Sequence, residues 1–134
     1  AKVMGASAVL LICALLDTET IKKYIKICDS LGLSALVEAH DEQEVQSAID
    51  AGARIIGVNN RNLKNFTVNI NNSTRLRKLV PNDIIFVAES GIKTPQDIAA
   101  LKQANVDAVL IGETFMRCEN KKEMLTALNG GEVK

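Results

Sequence analysis

The sequence has no excess of charge of either sign and no long hydrophobic run. Its 16 basic residues balance 16 acidic residues, so the formal net charge is zero. Nucleic acids and anionic membrane surfaces are bound through clustered Lys and Arg in excess. The longest apolar run, residues 8–16, is shorter than the roughly 20 residues that a membrane-spanning helix needs. We therefore expect no nucleic-acid partner and no membrane partner.

Cysteine and histidine are also scarce. The three cysteines, Cys13, Cys28 and Cys118, are odd in number and far apart, which argues against both a disulfide framework and a zinc site. His40 is the only histidine. Because no nucleophile or ligand cluster accompanies it, we interpret it as a loop residue rather than a catalyst. We expect no metal site and a reducing, cytoplasmic location.

The length of 134 residues predicts one domain with a sizeable core. The opening residues AKVM followed by Gly5 are typical of the last turn of a helix and its C-terminal glycine. We therefore expect a single domain over residues 1–134 that is the C-terminal part of a longer repeating fold.

Continuous apolar runs predict five strands, at residues 8–12, 35–37, 55–58, 84–88 and 108–111. Runs that do not alternate with polar residues are typical of parallel strands buried on both faces. Helical patterns lie between and after the runs, at residues 21–31, 45–49, 72–79 and 121–128. Asp41 with Glu44, and Thr94 before Pro95, predict two helix starts.

The alternation of strand and helix predicts an α/β fold with a parallel sheet. Two architectures fit: an open doubly wound sheet, or part of an eight-stranded TIM barrel, which takes about 250 residues when complete. Five βα units in 134 residues match the density of the barrel, although five strands cannot close it. We therefore predict a partial (βα)8 barrel.

Polar residues collect where the predicted strands end. They occupy residues 38–40, 59–61, 89–91 and 112–114. In parallel α/β folds the carboxyl ends of the strands form the ligand site. Carboxylates, amides, a guanidinium and glycines converge there, which predicts a binding or catalytic site.

Two parts of this site can be assigned from residue type. Gly91 and Gly112 follow the last two strands, where glycine lets backbone N–H groups approach a phosphate, although both could serve only tight turns. Glu38 ends an apolar run and should be partly desolvated, which suits general acid or base catalysis. Its alternative role is a structural ion pair.

Four strings at the strand ends, LVEAHDEQE, IIGVNNRNLKNFTVNI, FVAESGIKTPQDI and VLIGETFMR, resemble those of indole-3-glycerol phosphate synthases. These are (βα)8-barrel enzymes of tryptophan biosynthesis. The resemblance covers essentially the whole chain and places it from just before barrel strand four to the C-terminal helix. It implies a carbon-carbon lyase that closes a pyrrole ring with loss of carbon dioxide and water. The implied substrate is 1-(2-carboxyphenylamino)-1-deoxyribulose 5-phosphate, and no metal or organic cofactor is implied.

The resemblance also implies roles for single residues. It assigns catalysis to three polar residues at the strand ends, with Glu38 as the general base: Glu38, Asn59 and Glu89. It assigns contacts with the rest of the substrate to Arg61, near the anthranilate part, to Ser90 and to the apolar wall residue Leu110. It assigns binding of the substrate phosphate to Gly91, Gly112 and the backbone of Glu113.

Part of the family's active site has no counterpart in this sequence. The family's general-acid lysine, and a further glutamate and lysine, would lie before Ala1. We therefore predict that this chain alone is inactive or nearly so. Two alternatives stay open: another phosphate-binding TIM-barrel enzyme, and a non-enzymatic half-barrel that binds a phosphorylated ligand or self-associates through open sheet edges.

Overall fold

The computed structural model describes residues 1–62 and 65–131, and its strands form a single parallel sheet. The strands are β1 (Ala8–Ile12), β2 (Ser34–Ala39), β3 (Ile55–Asn59), β4 (Ile85–Glu89) and β5 (Ala108–Leu110). Their order in space follows their order in the chain. A doubly wound sheet reverses its strand order at a switch point. The uninterrupted order therefore confirms the partial barrel and excludes the open doubly wound sheet.

Helices connect the strands and follow the last one. They are α1 (Thr18–Ser30), α2 (Glu42–Asp50), α3 (Asn71–Leu76), α4 (Pro95–Gln103), α5 (Glu113–Arg117) and α6 (Lys121–Leu128). A 3-10 turn at Arg77–Leu79 continues α3, so the helix predicted at 72–79 is α-helical only in its first part. No helix within the described residues is long and apolar enough to cross a membrane.

The predicted helix starts are capped by side chains. The backbone N–H of Glu44 donates to Asp41 Oδ1 at 2.9 Å. Thr94 and Asp97 form a reciprocal capping box, with proline at the first helical position. At the beginning of the chain the predicted helix turn is a hydrogen-bonded turn only, in which the N–H of Ala6 donates to the Ala1 carbonyl at 3.0 Å.

The hydrophobic core lies between one face of the sheet and the helices. Val37, Ile56 and Phe86, from three adjacent strands, are fully buried against Ile21 and Val45 of the helices. The opposite face carries the alternate strand residues and is far less covered. Three of its apolar residues, Leu10, Ile85 and Leu110, are 48%, 48% and 49% exposed.

Three strands extend further at their carboxyl ends than their apolar runs predicted. β2, β3 and β4 include Glu38, Asn59 and Glu89, which follow the runs ending at residues 37, 58 and 88. The parallel ladder continues through them, since Asn59 pairs with Glu89 and Glu38 pairs with Gly57. All three side chains point to the less covered face, so the backbone stays in the sheet while the side chains lie together at the candidate site.

Candidate functional site

Glu38, Asn59 and Glu89 form a buried polar cluster on three adjacent strands. Their exposures are 8%, 8% and 4%. Asn59 Nδ2 donates to Glu38 Oε1 at 3.3 Å, and Asn59 Oδ1 accepts from the backbone N–H of Arg61 at 2.9 Å. The second bond orients the amide with its nitrogen toward Glu38. The structure thus brings the three predicted catalytic residues together.

Glu89 is the carboxyl with the most unusual surroundings in this cluster. Its buried Oε1 has no hydrogen-bond partner in the part of the chain that the structure describes. Burial, followed by repulsion from the Glu38 carboxylate, raises the pKa of Glu89 to about 7. A carboxyl with such a pKa can both give and take a proton near neutral pH.

Gly57 provides the space that Glu89 occupies. A Cβ on Gly57 would lie 1.9 Å from Glu89 Oε1 and 3.1 Å from Leu36 Cδ1. No larger residue fits here unless Glu89 moves. The residues alone did not identify Gly57, although a glycine inside a strand often marks the close approach of another group.

His40 lies in the loop after β2, outside the cluster, and contacts the backbone at the end of β3. Its Nδ1 is 2.9 Å from the carbonyl oxygen of Asn59. A carbonyl oxygen can only accept, so Nδ1 carries the proton in this contact. The backbone N–H of His40 donates to Glu44 Oε2 at 2.7 Å. These contacts give His40 a structural part in holding the end of β3.

A cavity of about 240 Å³ opens next to the cluster, at the ends of β4 and β5. It is lined by all six residues predicted for substrate and phosphate contacts: Arg61, Ser90, Leu110, Gly91, Gly112 and Glu113. Lys93 also lines it and was missed by the sequence analysis. The cavity therefore has two cationic side chains, an apolar wall and two glycines.

The turn after β4 depends on Gly91. Ser90 and Gly91 are both left-handed, with φ of 64° and 77°. A Cβ on Gly91 would lie 2.3 Å from Val68 Cγ1, so this position requires glycine for conformation and for space. Gly112 differs, because no described atom lies within 4 Å of where its Cβ would be. The structure therefore gives a steric reason for the first glycine only.

Asn60 joins the two parts of the site and was not assigned a role from the sequence. It is 1% exposed, and its Nδ2 donates to the Ser90 carbonyl at 3.1 Å. Its Oδ1 accepts from the backbone N–H of Ser73 at 3.0 Å and from Ser73 Oγ at 2.8 Å. Its own N–H donates to the Glu89 carbonyl at 2.8 Å. Asn60 therefore fixes the end of β4 and its turn to the end of β3.

Three charged side chains form two linked ion pairs beside the cavity. Glu113 forms an ion pair with Arg61 through Oε2, and its Oε1 accepts from Arg117 Nε at 3.0 Å. The Arg61 guanidinium, and then that of Arg117, hold the pKa of Glu113 below its usual value. Within residues 1–62 and 65–131, no group of three or more His, Cys, Asp or Glu is arranged to hold a metal ion.

The three cysteines are free thiols. Cys13, just after β1, donates its thiol hydrogen to the Glu44 carbonyl at 3.6 Å. Burial, with added repulsion from Glu44, raises the pKa of Cys13 to about 12. The thiolate is the reactive form of cysteine, so Cys13 is not a nucleophile at neutral pH.

Comparison with known sequences gives consistent matches. The sequence model of the indole-3-glycerol phosphate synthase family matches residues 1–128. The synthase of Ruminiclostridium cellulolyticum is 65% identical over 130 residues, covering 97% of this chain and 50% of the relative. That of Lachnoclostridium phytofermentans is 58% identical, covering 96% of this chain and 47% of the relative. The chain spans about half the length of the curated relatives it matches.

Solved structures show the same fold at low sequence identity. The 3-hexulose-6-phosphate synthase of Salmonella typhimurium superposes with a TM-score of 0.78 at 17% identity, over 94% of this chain and 61% of that one. The thiamine phosphate pyrophosphorylase of Pyrococcus furiosus gives 0.72 at 18% identity, over 93% of this chain and 58% of that one. Both are TIM-barrel enzymes, and at these identities the likeness concerns the fold alone.

Proposed function

The chain belongs to the indole-3-glycerol phosphate synthase family, and from this membership we propose that it supplies half of the active site of a carbon-carbon lyase in tryptophan biosynthesis. The proposed reaction closes the pyrrole ring of 1-(2-carboxyphenylamino)-1-deoxyribulose 5-phosphate, releasing carbon dioxide and water. The observation that carries the proposal is the buried cluster of Glu38, Asn59 and Glu89, which lies beside a cavity with two cationic side chains.

The cluster supports proton transfer in the proposed reaction. Glu38 takes up a proton as the general base, and Asn59 holds its carboxylate in place through the 3.3 Å hydrogen bond. With a pKa of about 7, Glu89 is partly protonated at neutral pH. Its protonated form can donate a hydrogen bond or a proton, and its ionised form can accept one.

We propose that the 240 Å³ cavity holds the phosphorylated end of the substrate. Lys93 offers a positive charge to the phosphate, and Arg61 lines the same cavity, where its planar guanidinium suits the carboxylate of the anthranilate part. The backbone of Gly91, Gly112 and Glu113 completes the phosphate contacts. Ser90 directly follows β4 and Leu110 ends β5, and both line the cavity, where they would contact the carbon skeleton of the substrate.

We further propose that this chain alone is inactive or nearly so. The family's general-acid lysine would lie on a strand outside this sequence, and losing a general acid or base lowers the rate by roughly 10² to 10⁴. The test is an assay of indole-3-glycerol phosphate formation by this chain and by a fusion of it to the preceding half of the R. cellulolyticum synthase. We expect activity from the fusion only.

A matched control makes this test specific. The same fusion with Glu38→Gln should lose roughly 10²- to 10⁴-fold in kcat, because its general base is gone. Normal turnover by the isolated chain would contradict the proposed inactivity. A folded fusion that binds inorganic phosphate but forms no indole-3-glycerol phosphate would instead favour a different phosphate-binding barrel enzyme.

We also propose that copies of this chain associate with one another. On the less covered face of the sheet, Leu10, Ile85 and Leu110 each expose about half of their surface. β1 and β5 are both edge strands. Open edges and apolar patches favour association. Analytical ultracentrifugation should find dimers or larger species at micromolar concentration, and a monomer throughout that range would reject the proposal.

We propose a cytoplasmic location. All three cysteines are free, as thiols are in a reducing compartment. Fractionation of cells that express the protein should place it with the cytosolic fraction, and recovery from an exported fraction would contradict the proposal.

A further inference from the structure

The chain folds back on itself after β3 and returns beside the turn that follows β4. Arg61 and Val68 form an antiparallel bridge. The backbone N–H of Asn69 donates to the Asn60 carbonyl at 2.9 Å. These backbone contacts hold Val68 close to the end of β3.

Val68 packs against the turn formed by Ser90 and Gly91. Its Cγ1 occupies the space in which a side chain on Gly91 would lie, 2.3 Å from the position of the missing Cβ. Among the described residues, those lining the 240 Å³ cavity include Ser90 and Gly91 but neither Val68 nor Asn60. An effect of Val68 or Asn60 on a ligand in the cavity must therefore pass through the turn.

The turn needs support from its surroundings. Ser90 has a left-handed φ of 64°, a conformation that is strained for a residue with a Cβ. Such strain persists only where neighbouring contacts hold it. Asn60 Nδ2 donates to the Ser90 carbonyl at 3.1 Å, and Val68 packs against the next residue. These two contacts hold the turn from the end of β3.

The bond from Asn60 also fixes the direction of a hydrogen-bond donor. The peptide bond between Ser90 and Gly91 is trans, since the described residues contain no cis peptide bond. The C=O and N–H groups of a trans peptide point in opposite directions. Because the Ser90 carbonyl points to Asn60, the Gly91 N–H points away from Asn60. A rotated peptide plane would instead present a carbonyl oxygen, which repels an anion.

We propose that Val68 and Asn60 are positioning residues of the phosphate site, which hold the Ser90–Gly91 peptide so that the Gly91 N–H points into the cavity. This inference rests on the proposed binding of the substrate phosphate by the backbone after β4 and β5. Neither side chain touches the phosphate. Both set the affinity for a phosphate group through the conformation of the turn.

The test is calorimetric titration of the purified protein and its variants with inorganic phosphate. Val68→Ala removes both γ carbons and should weaken binding about two- to fivefold, because the turn loses its packing. Val68→Ile keeps both γ carbons and should restore the affinity. The matched control is Val109→Ala, the same truncation at a valine of β5 that is 39% exposed, against 41% for Val68. It should leave phosphate affinity unchanged.

A double-variant cycle tests the contact between Val68 and Gly91. Gly91→Ala should weaken phosphate binding about fivefold or more, because its Cβ would meet Val68 Cγ1. Val68→Ala removes that atom, so Gly91→Ala should weaken binding less in the Val68→Ala background. Equal effects of Gly91→Ala in both backgrounds would show that Val68 does not act through Gly91.

Proton NMR tests the direction of the Gly91 N–H, which a general loss of stability does not change. In the unmodified protein the Gly91 amide proton should shift downfield as inorganic phosphate is added, because it donates to the anion. Asn60→Asp removes the donor to the Ser90 carbonyl and should reduce this shift by about half or more at saturating phosphate. Ser73→Ala leaves that donor in place, and the shift should remain.

The outcomes distinguish this inference from the site on which it rests. If the unmodified protein binds phosphate and Val68→Ala and Asn60→Asp bind it as tightly, the positioning role is wrong and the phosphate site stands. Equal losses of affinity in Val68→Ala and Val109→Ala would also reject the role, because they would reflect lower stability alone. If the unmodified protein does not bind phosphate, the phosphate site itself is wrong, and the inference falls with it.

Discussion

Glu89 and Glu113 lie near the carboxyl ends of neighbouring strands, and the pKa values of their carboxyls shift in opposite directions. Glu89 is 4% exposed, has an unpartnered oxygen and lies near another carboxylate, so its pKa rises to about 7. Glu113 is exposed and pairs with two arginines, so its pKa falls. Burial beside another carboxylate favours the protonated form of a carboxyl group, and pairing with cations favours its ionised form.

This contrast divides the site into two regions. The buried cluster of Glu38, Asn59 and Glu89 is suited to moving protons. The cavity lined by Arg61, Lys93 and Glu113 is suited to holding charge. Substitutions that alter one region and spare the other therefore test the division.

The largest effect should come from Gly91→Asp, which we expect to abolish binding of inorganic phosphate. The new carboxylate would face the anion, and its Cβ would meet Val68 at 2.3 Å. Glu89 should keep its raised pKa, as followed by carbon NMR of the carboxyl groups. Phosphate binding is measured by calorimetric titration.

A matched control is Gly52→Asp. Gly52 has a similar φ of 81°, and nothing described lies within 4 Å of its would-be Cβ. This variant carries the same charge and backbone strain away from the cavity and should bind phosphate normally. If Gly91→Asp also binds phosphate normally, the cavity is not the phosphate site.

The next effect concerns pH and stability. The pKa of Glu89 in the folded protein is about 7, above its ordinary value of 4.5. The folded state therefore favours the protonated form, and this contribution is complete below pH 4.5 and lost as the pH rises through 7. The loss amounts to about 3 kcal/mol of unfolding free energy. Glu89→Gln should remove it, as measured by urea unfolding at pH 4.5 and 8.

The same substitution in the other region provides the control. Glu113→Gln should leave the fall in stability between pH 4.5 and 8 unchanged, because that carboxyl is exposed and its ion pairs with two arginines lower its pKa, away from this range. An unfolding free energy of Glu89→Gln that falls with pH as much as in the unmodified protein would show that Glu89 is not the titrating group.

A smaller effect should come from Asn60→Asp, which tests the link between the regions. The new side chain still accepts from Ser73 but no longer donates to the Ser90 carbonyl. We expect a loss of about 2 kcal/mol in unfolding free energy and weaker phosphate binding. Ser73→Ala, which removes one of the two donors to Oδ1, should cost about 1 kcal/mol. Unaltered stability and phosphate affinity of Asn60→Asp would exclude the linking role.

The smallest effect should come from Gly57→Ala. The added methyl group would displace Glu89 toward solvent, so its pKa should fall toward 4.5 while phosphate affinity is unchanged. The overpacking is partly offset by the lower backbone entropy of alanine, leaving a net cost of about 1 kcal/mol. Gly112→Ala adds the same group in open space, and Glu89 should then titrate as before. Carbon NMR titration of both variants checks this, and an unchanged pKa in Gly57→Ala would contradict it.

The strands could be predicted because they carry apolar residues along almost their whole length, although only one face is buried against helices. The exact ends of the strands could not be predicted. Glu38, Asn59 and Glu89 continue the backbone ladder while interrupting the apolar pattern. Hydropathy reports side-chain environment, and the ladder depends on backbone groups. The short helix α5 was not predicted either. None of its residues is buried, so hydropathy gives no signal for it.

The location of the site was predictable and its internal contacts were not. Parallel strands bring their carboxyl ends to one edge, which placed the polar residues together. Sequence reasoning from residue type singled out Glu38 for proton transfer and gave Glu89 its role only through the family resemblance. The structure adds that burial raises the pKa of Glu89, whose side chain fits in the space left by Gly57. The pairing of Arg61 with Glu113 joins residues 52 positions apart, and no local pattern reports such a contact.

The strand order has a consequence for how the chain acquires its structure. Each strand pairs with the strand made just before it, roughly 20 to 30 residues earlier, and among the five described strands no pairing skips a neighbour. Loop closure between such near segments has a low entropic cost. During synthesis, at about 5 to 20 residues per second, each βα unit can dock on the growing edge within seconds of leaving the ribosome. The sheet can thus assemble vectorially, each finished strand acting as the template for the next.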